Sequence, residues 1–259
     1  MQKTLALILK KQNIGETDRI LTVFSPTLGK KRLIARSVRK PTSKLAGHLD
    51  TFMVSQLILT DAPDLPKITS AVLVESFESI RSSLVSLERA FAVSKIVERV
   101  ILEEMNQQSI FQLTLDTLVR LNDDLPWENV WLYFLGRLTN HLGLALSDYA
   151  CERCTKTIDE AAWWQPSERR FVCQKCRQSI DGAIFCQANS VKLLRLLQNQ
   201  PYAMIERLRF GQIVGQQTEE VLLREVTEWF NKSWTSYANL RTAHGSAFTQ
   251  DLDNREERW

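Results

Sequence analysis

Residues 18–36, DRILTVFSPTLGKKRLIAR, read as a strand, a turn and a second strand. Ile20, Thr22 and Phe24 alternate with Leu21 and Val23, the two-residue period of a strand whose faces meet different surroundings. Ser25-Pro26 and Gly29 supply the turn, and Lys30 to Arg36 forms the next run. Working outward, Leu5, Leu7 and Leu9 alternate in an earlier strand that ends at Asn13 and Gly15. Thr51 to Thr60 is a fourth run and Ile68 to Phe77 a fifth, set apart by Pro41 to Gly47 and by Pro63 and Pro66. Five short strands in under eighty residues suit a small closed barrel, because closure removes bare edges. An OB-type barrel is expected; spacing alone leaves an SH3-like barrel open.

The same stretch carries the charge signal. The chain of 259 residues has a net charge of only +3, but residues 1–60 hold eleven Lys/Arg against three Asp/Glu. No acidic residue lies between Asp18 and Asp50, where Arg19, Lys30, Lys31, Arg32, Arg36, Arg39, Lys40 and Lys44 fall. Surfaces normally mix both signs because like charges repel. The run reads as a phosphate-binding surface or, more blandly, as a solvated loop with incidental lysines. Asp18, in the turn Gly15-Glu16-Thr17-Asp18, is expected to pair with Arg19 or a later lysine.

From about residue 80 the period becomes helical. Leu84, Leu87, Phe91, Val97 and Ile101, with Ser94, share one helical face; Pro126 opens a helix bearing Trp127, Trp131, Phe134, Leu138 and Leu142. Thr218, followed by Glu219 and Glu220, reads as the N-cap of a long helix carrying Leu222, Val226, Trp229, Tyr237 and Leu240. These aromatic stripes are read as helix packing in preference to a ligand pocket. Beyond Gly245 the chain turns polar.

Cys151-x2-Cys154 and Cys173-x2-Cys176 are separated by eighteen residues. Two residues between cysteines let both sulfurs face one tetrahedral ion, and the intervening loop returns the second pair over it. Trp163, Trp164 and Phe171 give that loop two strand-like segments. A zinc ribbon with one structural Zn2+ is expected; a redox dithiol pair is the alternative. Four thiolates leave no open coordination position, which disfavours catalysis by the metal. Cys186 is read as a small buried hydrophobe.

Hydrophobic residues at 44% and charged residues at 24% are globular values. No apolar run reaches the ~20 residues of a spanning helix. The opening MQKTLALILKKQN is too short a hydrophobic stretch for a secretory signal, so a cytoplasmic location is expected. Three scattered histidines, His48, His141 and His244, exclude a His-rich metal centre. No Walker A loop, dinucleotide fingerprint or nucleophile elbow is present. A zinc-ribbon nucleic-acid-modifying enzyme and a transcription regulator are the competing classes.

Residues 15–52, GETDRILTVFSPTLGKKRLIARSVRKPTSKLAGHLDTF, resemble the N-terminal signature of the bacterial recombination mediator family RecO. The resemblance resumes at YFLGRLTNHLGLALSDYACERC (133–154), FVCQKC (171–176) and NSVKLLRLL (189–197), and spans most of residues 1–200. The family often has Gly at the positions of Ser37 and Thr155, and a Gly-Gly near Arg169-Arg170.

The resemblance implies a multidomain chain, with an OB-fold domain over 1–79 and an α-helical domain over 80–147 and 187–245. A zinc-ribbon insertion at 148–186 and a tail at 246–259 complete it. It further implies a non-enzymatic, nucleoid-associated protein that binds single- and double-stranded DNA and anneals complementary strands. Loading of RecA recombinase onto DNA coated with single-strand-binding protein (SSB), with RecR as partner, is also implied. The helical domain is expected to receive the acidic SSB tail.

Overall fold

The computed structural model describes residues 1–62, 65–101, 107–146, 149–177 and 182–229. They fall into two compact units that divide after Asp123.

The first unit is built on five strands, β1 (Gln2–Ile14), β2 (Asp18–Ser25), β3 (Gly29–Ala35), β4 (Val54–Leu59) and β5 (Ile68–Glu75). They form one antiparallel sheet in the order β3-β2-β1-β4-β5. Three-residue loops join β1 to β2 and β2 to β3, with Gly15 and Gly29 at φ 54° and 61°, the left-handed backbone such turns require. The two ends of the sheet also meet. The Ile34 amide donates to the Pro66 carbonyl at 3.0 Å, and Ile34 and Lys67 make a parallel bridge. A bulge between Ile8 and Lys10 adds local twist to the long central strand.

Both faces of the sheet are buried over part of their area. Ala6, Ile8, Leu21, Val23, Leu33, Ala35, Leu57 and Leu59 pack into one core. On the opposite face Leu7, Leu9 and Phe24 are also buried, Phe24 edge-on to Phe111 with centroids 5.2 Å apart. The Leu5/Leu7/Leu9 stripe is therefore not the face of the main core; Ala6 and Ile8 are. Phe111 belongs to α3 (Gln108–Asn122), which follows α1 (Glu78–Ser82) and α2 (Leu84–Val100).

The sequence places a domain boundary after residue 79, and the structure seats these three helices in the same compact unit as the sheet. The buried face of α2 is Ala90, Val93, Ser94 and Val97, continuing to Ile101. Leu84 lies out in solvent, and Phe91 reaches sideways to Phe52 at 4.9 Å. The expected stripe is thus displaced around the helix, because its alanines and valines fit close against neighbouring elements where larger residues do not.

The second unit begins with α4 (Trp127–His141), which starts at Pro126 as its sequence predicts. Trp127, Trp131, Phe134 and Leu138 are buried, the first three as a stacked series with centroid spacings of 5.2 and 5.9 Å. Strands β6 (Ala162–Gln165), β7 (Arg170–Cys173) and β8 (Ile184–Cys186) form a small antiparallel sheet in the order β7-β6-β8. Helices α5 (Ala188–Asn199), α6 (Tyr202–Ile205) and α7 (Gln212–Trp229) complete it. Gly136 marks the α4–α5 crossing, where a Cβ would come within 2.8 Å of Leu197 Cβ. Beside it Gln198 accepts from the Tyr149 hydroxyl and the Leu146 amide and donates to Thr139.

Thr218 is not an N-cap. Helix α7 starts at Gln212, and the buried Thr218 hydroxyl donates to the Val214 carbonyl at 2.7 Å, one turn back within the helix. Glu219 is correspondingly no first-turn carboxylate; it is buried and accepts from Trp131 Nε1 at 2.8 Å. Tyr237 and Leu240, expected in this helix from sequence, and the tail at 246–259 lie outside the described residues. No described helix is long and apolar enough to cross a membrane.

Candidate nucleic-acid interface and four-cysteine site

The eight cations of the N-terminal stretch do not form one surface. Alternation along β3 places Arg32 opposite Thr22 on the outer face of the sheet and Lys31 opposite Val23 on the other. Lys10 of β1 also pairs with Thr22, so Lys10, Thr22 and Arg32 form a cross-strand row with both cations exposed. Strand spacing sets the backbones of Lys10 and Arg32 about 10 Å apart. Lys10 was absent from the eight expected residues, because only the pairing register brings it beside Arg32. Arg19, opposite Asn13 and Ala35, donates to Asn13 Oδ1 at 3.1 Å.

Besides Arg19, three more of the eight are engaged within the chain. Lys30 Nζ donates to the Glu98 carbonyl at 2.6 Å, in the last turn of α2, where the helix presents its negative end. Arg36 pairs with Asp18 at 2.9 Å, and the other Asp18 oxygen accepts from the Ser37 amide at 2.7 Å. Asp18 thus pairs with neither Arg19 nor a lysine. The Ser37 amide, opposed by burial and aided by Arg36 and Thr17, holds its carboxyl below the usual range. Arg39 folds back to the Gly15 carbonyl at 3.1 Å.

Lys31, Arg32, Lys40 and Lys44 have no carboxylate partner among the described residues, and the last three are exposed. Lys11 by contrast is neutralised by Asp50. Phe24, the one aromatic of the stretch, is fully buried, so it presents no ring to a base.

The cysteine site is compact. Cys151, Cys154, Cys173 and Cys176 bring their sulfurs within 4.8 Å of one another. Cys154 Sγ and Cys173 Sγ are 3.8 Å apart. Four thiolates about 2.3 Å from one tetrahedral zinc would stand about 3.8 Å from each other, so this donor set fits the ion. Each pair sits on a turn, with the Thr155 amide on the Cys151 carbonyl at 2.8 Å and the Cys176 amide on the Cys173 carbonyl at 3.1 Å. Burial raises the Cys151 thiol, but the backbone amides of Cys173, Cys154 and Arg153 outweigh it and bring it down to about 6. Cys176 moves the other way, its thiol raised to about 12 by hydrogen bonds with the Cys173 and Cys154 sulfurs.

The expected strand pair is β6–β7, with Trp164 edge-on to Phe171 at 4.8 Å. Arg169, in its connecting turn, pairs at 2.6 Å with Glu225 of α7, whose side chain is 1% exposed. Cys186 is fully buried, and burial raises its thiol to about 12.

Two family models match the chain: Recombination protein O N terminal over residues 1–77, and Recombination protein O C terminal over 81–228. Relatives named DNA repair protein RecO include one from Dehalococcoides mccartyi strain BAV1. It is 32% identical over 217 residues, 84% of this chain and 86% of the relative. The relative from Roseiflexus sp. strain RS-1 is 30% identical over 87% of this chain and 81% of its own length. That from Acetivibrio thermocellus is 28% identical over 93% and 96%. The two models cover nearly all the described residues in the expected order, and the chain therefore belongs to the RecO family.

Proposed function

We propose that this protein acts in recombinational DNA repair as a non-enzymatic mediator. In this reading it binds single- and double-stranded DNA through its sheet, anneals complementary strands, and helps load RecA onto SSB-coated DNA together with RecR. The observation that carries the reading is the row Lys10–Thr22–Arg32, together with exposed Lys40 and Lys44 in the loop after β3, with no carboxylate partner for Arg32, Lys40 or Lys44 among the described residues. Cations without counter-charge are neutralised by phosphates, and released counterions drive the binding. Lys31 extends the charge around the sheet. Arg19, Lys30, Arg36 and Arg39 contribute less, since each already has a protein partner.

The strand order and the parallel contact of Ile34 with Lys67 support an OB-type barrel over 1–79, a fold whose second and third strands take oligonucleotides. Annealing needs no catalytic group here: a cationic face lowers the repulsion between two backbones and leaves the bases free to pair. In the second unit, Cys151, Cys154, Cys173 and Cys176 would hold one structural Zn2+, and the segment 148–186 would be a zinc ribbon inserted between helices. The α-helical part is the docking region for SSB, and the protein works in the cytoplasm at the nucleoid.

The test is annealing of SSB-coated complementary oligonucleotides by the full chain. A variant with Lys10, Arg32, Lys40 and Lys44 changed to Gln should anneal at least tenfold more slowly, while keeping its fold by circular dichroism. Equal rates would remove the assignment.

A further inference from the structure

The small sheet of the second unit has two unlike faces. Trp164, Phe171 and Ile184 lie on one face and are buried. The other face carries buried Val172, half-buried Trp163 and exposed Phe185 in a single cross-strand row. Phe185 is 39% exposed although it sits on a strand whose neighbours Ile184 and Cys186 are buried. Its ring lies 5.0 Å from that of Trp163, tilted by 52°. Over Trp163 stands the guanidinium of Arg177, its central carbon 3.5 Å from the ring centroid. A planar cation stacked on an indole, beside an exposed phenyl ring, is a larger flat surface than this sheet needs for its own packing.

Charge points to what this surface takes. Arg169, Arg170 and Arg195 of the same unit are each neutralised, by Glu225, Glu152 and Asp159. Arg177 and the exposed Lys175 have no carboxylate partner among the described residues. Exposed Arg153, Lys156 and Lys192 also lack a carboxylate partner among the described residues, but it is Arg177 whose charge stands directly over the Trp163 ring. An unpaired nucleotide offers both complements, a planar base and a phosphate.

We propose that Arg177, Trp163 and Phe185 form a stacking platform for the bases of single-stranded nucleic acid, with Lys175 taking a backbone phosphate. This rests on the reading of the chain as a DNA-binding protein, and adds a contact of different chemistry on a different unit. Bases in a duplex have no free face, so the platform acts on single strands alone. It distinguishes the two forms of DNA, which the cationic row on the sheet does not.

The test uses the full chain, a short poly-dT oligonucleotide, an abasic oligonucleotide of the same length, and a duplex. Phe185→Ser and Arg177→Gln are made singly and together. The double variant should bind poly-dT roughly tenfold more weakly, the scale of one lost base stack, and bind the abasic strand and the duplex as the intact chain does. Arg177→Gln alone, at an exposed position, should show part of the same selective loss and decides the matter if the double variant does not fold. Unchanged poly-dT affinity overturns the platform while leaving the cationic sheet intact, and an equal loss on the abasic strand reduces it to plain charge and overturns the stacking. If the intact chain binds none of the three probes, the broader DNA-binding reading fails and this proposal falls with it.

Discussion

Ser37, Thr155 and Arg169 stand at φ values of 53°, 57° and 56°, in left-handed backbone that residues with a Cβ adopt at a cost. Two of them occupy positions where the resembled family often carries Gly, and the third lies beside the family's Gly-Gly. These side chains therefore sit in a backbone conformation that glycine adopts without strain. Ser37→Gly and Thr155→Gly should each stabilise the protein, by about 0.5–1 kcal/mol, with the larger gain at β-branched Thr155. Urea denaturation reads this, and a loss of stability at both positions would contradict it.

Arg169 also faces a buried partner. Burial raises the Glu225 carboxyl above the usual range, and Arg169 pulls it back. A raised folded pKa means that the folded state holds this proton more tightly than the unfolded chain does. Its ionisation then costs stability as pH rises through the raised value, and the cost is absent below the ordinary carboxylate range. Removing Arg169 worsens that cost only while Glu225 is charged. Arg169→Ala should thus destabilise by about 2 kcal/mol at pH 7, discounted for the partial exposure of Arg169, and by clearly less at pH 5. A loss independent of pH would contradict the assignment.

Among the elements, β1 to β5 and the start of α4 were legible because alternation, turn residues and Pro126 all agreed. The four cysteines were legible because metal geometry constrains their spacing directly. Helix α3 was not, since buried Thr114 and Thr117 interrupt its apolar pattern while their hydroxyls bond the carbonyls of Ile110 and Leu113 inside the helix. Thr218 misled for the same reason: a hydroxyl that satisfies a carbonyl four residues back looks, in sequence, like one that caps an amide.

Which face of β1 meets the main core was not legible, because both faces are buried near Leu7, Ile8 and Leu9 and hydrophobicity does not tell them apart. For β6–β8, the Zn2+ proposed for the four cysteines would replace the core that so small a sheet lacks. Chelation, or Cys154→Ser, should release one zinc per chain and lower the melting temperature, measured by metal analysis and calorimetry. An unchanged melting temperature on metal loss would contradict a structural role.

For the whole molecule, a run of cations adjacent in sequence is divided by the fold among three tasks. Lys30 closes the carbonyl end of α2, Arg36 locks the loop after β3 to Asp18, and Arg32 is left on the outer face beside Lys10. Counting charges along the chain could not make this division, which depends on partners 18 and 68 residues away. Lys30→Ala should accordingly lower stability by about 1 kcal/mol with little effect on DNA affinity, whereas Arg32→Ala should do the reverse.

Phosphate neutralisation by the free cations of the sheet and of the loop after β3 is the central claim, and the salt dependence of single-strand binding tests it most directly. With about six phosphates engaged, the slope of log affinity against log salt should be near −4 for the intact chain. It should become shallower by about 0.7 for each of Lys10, Arg32, Lys40 and Lys44 changed to Gln. A slope near zero, or one indifferent to these four substitutions, would contradict it.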